Sequence, residues 1–148
     1  MAVPTPRAPP SCHAWQVSAL VGALARFKQR APLCERGLAA LGNVMLRGGS
    51  SAVGAALRHD AMTVIADVMA AHPKRAPLLV QACYCCLNAA AASVAAKQRL
   101  VHHSHISGAE RLLAALFAHP TNLLVAEAVS THALPFLSAH AAAHPVPV

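Results

Sequence analysis

Acidic residues are scarce in this chain: 5 Asp and Glu face 12 Lys and Arg in 148 residues, and none precedes Glu35. The others, Asp60, Asp67, Glu110 and Glu127, are scattered, so no two carboxylates stand at the spacing that acid–base chemistry uses. Aromatics make up 3%, too few for the stacking platforms that bind single-stranded nucleic acid. No run of five or more Lys/Arg occurs, which also counts against a nucleic-acid interface. Gly48-Gly49 is not followed by Lys-Ser/Thr, so no phosphate-binding loop is present. The longest apolar stretch, around Leu87 to Ala96, is short and alanine-rich, below the length a membrane span requires.

Alanine dominates what is present. Hydrophobic residues reach 56% and charged ones only 11%, which excludes a polar, highly charged disordered chain. Alanine is the best helix former and buries little area per residue, so helices built from it must pack closely. The length suits one domain. A net charge of +7 with histidine neutral steers the chain toward acidic protein segments, nucleic acid or anionic membrane. The 10 histidines raise that charge further between about pH 7 and pH 5.

Cys12, Cys34, Cys83, Cys85 and Cys86 form an odd, clustered set. That is a poor disulfide framework and fits free thiols in a reducing, intracellular compartment, cytoplasmic or nuclear. Cys83, Cys85 and Cys86 precede His102, His103 and His105, which raises a zinc reading. Structural zinc sites draw cysteines from turns, whereas these lie mid-helix, and free cysteine usually behaves as a small buried hydrophobe. No metal, no cofactor and no catalysis are expected, since nothing positions a Cys–His nucleophile.

The acid-free N-terminus carries Arg7, Arg26, Lys28 and Arg30, with Val17, Leu20, Leu24 and Phe27 on one helical face. Two readings stand for it: an organelle transit peptide, which would make the protein mitochondrial, or the first structured helix, which is carried forward here.

The chain repeats itself. Arg30-Ala31-Pro32-Leu33 recurs as Arg75-Ala76-Pro77-Leu78, 45 residues on, and Asn43 recurs as Asn88 at the same interval. His72-Pro73 recurs as His119-Pro120, 47 residues later. The stripe Val17, Leu20, Leu24 returns as Met62, Ile65, Met69 and again as Ala109, Leu112, Leu116. A period in the forties with helical stripes is the pattern of stacked helical repeats, in which each unit covers its neighbour's apolar face.

Helices are expected over 14–30 and 32–46, with Pro32 suited to a first turn, and over 50–58 after Gly48-Gly49, capped by Ser50 or Ser51. Others follow over 61–71, 77–87, 93–103, 107–119 and 121–134. Residues 1–13 and 141–148, rich in proline, are expected to be loose around a folded part spanning 14–140.

That order resembles the armadillo repeat, a short helix followed by two longer antiparallel ones. Ser107-Gly108-Ala109-Glu110-Arg111-Leu112-Leu113 is similar to the family's glycine-alanine opening of the second helix. Val80-Gln81-Ala82 with Cys86-Leu87-Asn88-Ala89 resembles its third helix, and Leu41-Gly42-Asn43-Val44 does so more loosely. The resemblance covers about 14–138 and implies an all-α, short right-handed solenoid of about three repeats, a non-catalytic protein-binding module. It also implies that third helices line a concave groove, where Asn43 and Asn88 would grip a peptide backbone through their amides and Tyr84 would pack between its side chains. The pattern is partial: Ala39 stands at the aromatic position of the first repeat, and Ala133 or Leu134 at the asparagine position of the third.

The implied partner is an extended protein segment, acidic or phosphorylated. Such asparagines also bridge neighbouring helices without any ligand. Two other functions stay open: an accessory subunit held by its convex side and ends, and a nucleic-acid-associated repeat. Apolar end faces imply self-association or membership of a larger assembly.

Overall fold

The computed structural model describes residues 12–102 and, beyond them, Glu127. Five helices fill the continuous part: α1 (Cys12–Arg26), α2 (Ala31–Arg58), α3 (Ala61–Ala71), α4 (Ala76–Ala92) and α5 (Val94–His102). No strand occurs among the described residues. The elements expected over 107–119 and 121–134 and the tail at 141–148 lie outside the described residues, apart from Glu127, which is helical.

Proline and glycine set the breaks. α1 stops at Arg26, earlier than expected, because the chain must reverse over Phe27–Gln29 before α2 begins. At its other end α1 begins at Cys12, inside the segment expected to be loose. Gly49 lies inside α2 with φ 54° and ψ −138°, a conformation that essentially only glycine adopts. It divides α2 into 31–48 and 50–58, so the expected stop at Gly48-Gly49 is realised as a sharp kink. Ser93 caps α5, its Oγ accepting a bond from the Ala96 amide at 3.2 Å. Gly49→Ala is expected to cost about 1–3 kcal/mol of stability, read as a lowered urea midpoint.

The 45-residue repeat is written into the backbone. Arg30 precedes α2 with φ −98°, ψ 88°, and Arg75 precedes α4 with φ −99°, ψ 87°; each is followed by Ala-Pro in the first turn. Their hydrogen bonds correspond as well. The Arg30 amide donates to the Phe27 carbonyl at 2.8 Å and the Arg75 amide to the His72 carbonyl at 3.2 Å.

Long-range bonds join residues about one sequence period apart. In the turns, His72 Nε2 lies 2.7 Å from the Lys28 carbonyl. Between α4 and α2, the Cys85 thiol donates to the Leu38 carbonyl at 3.0 Å and Asn88 Nδ2 to the Gly42 carbonyl at 3.0 Å. Between the short helices, Arg99 Nη1 donates to the Leu57 carbonyl at 2.7 Å. Each joins residues 42–47 positions apart, about one period.

The core runs through the layers. Val17 and Leu24 of α1, Leu38, Leu41 and Met45 of α2, and Ile65 and Val68 of α3 are buried, as are Leu78 and Leu79 of α4. Alanine and cysteine fill much of the remainder, notably Ala52, Ala55, Ala56, Ala82 and Cys85, which lets the helix axes approach closely. No buried polar or charged residue occurs among those described.

Candidate functional site

α2 and α4 lie side by side, and the faces they leave to solvent carry the residues singled out by the repeat. On α2, Asn43 is exposed, flanked on the same face by exposed Arg36 and Arg47, since positions i, i+7 and i+11 align along a helix. On α4, Tyr84 is 39% exposed and Asn88 is half-buried, with Gln81 one turn before Tyr84. Asn43 and Asn88 occupy equivalent positions. The Asn88–Gly42 bond fixes their neighbourhood, because it places the Asn88 amide against the residue preceding Asn43.

Asn88 thus bridges the two helices, and one of its amide hydrogens is engaged by the Gly42 carbonyl. Its acceptor oxygen and second hydrogen retain the capacity to meet a peptide group. A main-chain carbonyl already serving its own helix gains a second donor here, so the bond also locks the relative height of α2 and α4. Asn43, exposed, is the less encumbered of the pair.

The electrostatics of this surface are one-sided. Arg36 and Arg47 sit on the exposed stripe of α2. Glu35 is turned instead to the neighbouring layer, where its carboxylate Oε2 lies 3.4 Å from Arg75 Nε. Partly exposed, that pair adds little stability, but it engages the carboxylate next to Arg36 in sequence with Arg75. Arg36 and Arg47 escaped the sequence reading, although their spacing from Asn43 was a signal available in the sequence.

Four of the five cysteines belong to the core. Cys34, Cys83, Cys85 and Cys86 are buried and only Cys12 is exposed. Burial holds the thiols protonated: Cys83 and Cys85 are each pushed up to about 12, Cys86 well above its usual value, and Cys34 is raised too. Native protein at about pH 8 is therefore expected to release one thiol equivalent to a disulfide reagent, from Cys12, and the rest only on unfolding. The linkage sign follows. Below about 9 the thiols are neutral in both states; between about 9 and about 12 only the unfolded state ionises, so stability falls as pH rises.

Among the described residues no group of three His, Cys, Asp or Glu is placed to hold a metal ion. The side chains of His102, His103 and His105, which a zinc site with the cysteine cluster would need, lie outside the described residues. Among the described residues, too, no helix is long and apolar enough to cross a membrane. No protein family, curated protein or solved structure matches this chain.

Proposed function

We propose that this chain is a short right-handed stack of armadillo-type repeats, a non-catalytic module that binds an extended, acidic or phosphorylated segment of a protein partner. The segment lies across α2 and α4. Asn43 and the free capacity of Asn88 meet its backbone, Tyr84 packs between its side chains, and Arg36 and Arg47 meet its acids. The observation that carries this reading is the pairing of equivalent asparagines on adjacent helix faces beside an arginine stripe from which Glu35 is turned away. Asparagine amides read a peptide backbone whatever its sequence, and arginines add the preference for acid.

One observation favours a second reading, a structural subunit of a larger assembly. The Asn88 amide is already engaged by Gly42, as a purely architectural asparagine would be. A quantitative pull-down separates the two, comparing wild type with Asn43→Ala/Tyr84→Ala, two exposed positions whose loss leaves the helix bridge intact. Loss of a partner from the folded variant supports the peptide-binding reading. An unchanged partner set contradicts it and leaves the structural subunit.

A further inference from the structure

An apolar groove of about 690 Å³ runs between α1 and α2. Leu20, Ala23 and Phe27 line one wall and Leu33, Gly37 and Ala40 the other. Each wall runs for two helical turns, about 10 Å. Phe27 and Leu33 are 37% and 36% exposed, so this is an open trough and not the enclosed pocket that buries most of a small ligand. Charge enters its lining through Arg30 and Arg36. Arg26 stacks on the wall itself, its guanidinium 5.4 Å from the Phe27 ring centroid. Among the described residues that line the groove, none is acidic.

An occupant therefore brings apolar side chains and negative charge. It also brings its backbone already hydrogen-bonded, because the walls are helical and offer few free main-chain groups. An extended strand laid there would bury bare amides against leucine and phenylalanine, whereas a helix satisfies its own.

The next period of the chain shows the corresponding surface with its cover in place. Moving 45 residues from the wall positions gives Ile65, Val68, His72, Leu78, Ala82 and Cys85. All but His72 are at most 1% exposed. A helix supplies part of that cover: Cys85 of α4 donates to the Leu38 carbonyl of α2 at 3.0 Å, and Arg75 Nε lies 3.4 Å from Glu35 Oε2 of α2. Arg30 stands before α2 as Arg75 stands before α4, with nearly the same dihedrals. The covering helix carries buried Leu38, Leu41 and Met45 with Glu35 one turn ahead of them.

We propose that the α1/α2 groove docks an acidic amphipathic helix of a partner protein, laid on α2 as α2 lies on α4, with a carboxylate meeting Arg30 as Glu35 meets Arg75. The proposal goes beyond the α2/α4 face and is independent of it.

A fluorescein-labelled, alanine-based helix of about 18 residues tests this. It carries leucines at i, i+3 and i+7, the spacing of Leu38, Leu41 and Met45, with glutamates beside them. Titrated into the full chain it is expected to bind, and its lysine counterpart to bind at least about tenfold more weakly. The same helix broken by a central proline should lose most of its affinity. Leu33→Glu and Arg30→Glu, both at exposed positions, should each weaken the glutamate helix about tenfold while the protein keeps its helical circular dichroism. Asn43→Ala/Tyr84→Ala should bind it as wild type does, so failure of the peptide-binding face leaves this inference standing. No binding up to millimolar peptide would overturn the proposal, as would equal binding of the lysine or proline peptide, or binding indifferent to both groove variants. Self-association that Leu33→Glu abolishes, or binding that appears only after residues 1–11 are removed, would also overturn it, by showing that the chain itself covers the groove.

Discussion

Replacing Leu38 with alanine is expected to lower the unfolding free energy by about 2–5 kcal/mol, a large share of the roughly 5–15 kcal/mol that holds a domain together. Leu38 is fully buried in α2, the helix that packs against both α1 and α4. One period on, its place is taken by Cys83, a smaller side chain. Much of the core besides is alanine, which has no flexible side chain to move into a void, so the cavity stays open. The Leu38 carbonyl also receives the Cys85 thiol, and relaxation of α2 would disturb that contact between layers. Urea denaturation measures the loss. Leu46→Ala, at a position 66% exposed, is the control and should change stability by less than about 0.5 kcal/mol.

Reversing the arginine stripe should be the most damaging change to binding. Arg36→Glu/Arg47→Glu is expected to weaken capture of an acidic segment by about 10- to 100-fold, equivalent to about 1.4–2.8 kcal/mol. Both side chains are exposed, so folding should survive, as circular dichroism would verify. The effect should shrink with added salt, because the screening length falls from about 10 Å at 0.1 M to about 3 Å at 1 M. A defect that persists undiminished in high salt would point to lost packing instead of lost charge. Titration of a fluorescent acidic peptide recovered from the partner gives the number directly.

Much of this fold was legible in the residues because its punctuation is covalent. Pro32 and Pro77 mark the starts of α2 and α4, and Gly49 marks the break inside α2. The recurrence of Arg-Ala-Pro-Leu marks the period, and the two residues that open it, Arg30 and Arg75, adopt nearly the same dihedrals. The misjudged boundaries have physical causes. α4 was expected to stop at Leu87 but runs to Ala92. The alanines after Asn88 favour helix, and the Asn88 side chain bonds to Gly42 instead of competing for its own backbone.

Other features depend on the spatial offset between layers, which no local pattern contains. The thiol of Cys85 reaching Leu38, His72 reaching Lys28 and Arg99 reaching Leu57 are of this kind. The left-handed backbone of Asp60, at φ 59° and ψ 35° before α3, is a local feature instead; its carboxylate Oδ1 accepts a bond from the Thr63 hydroxyl at 3.2 Å. At the candidate site, sequence supplied Asn43, Tyr84 and Asn88 through the resemblance. Only the structure revealed that Asn88 is partly engaged and that Glu35 faces Arg75, away from Arg36 and Arg47.

The most direct test of the binding face is site-specific photo-crosslinking. A benzoyl-phenylalanine replaces Tyr84, one aromatic for another, and in a second protein it replaces Asp67, exposed on α3. Irradiation in cell extract, followed by mass spectrometry of the adducts, is predicted to join a partner segment rich in Asp, Glu or phosphorylated residues to position 84 and to leave position 67 bare. An adduct that forms from position 67 and not from position 84 would contradict the account, placing partner contact on the outer helices.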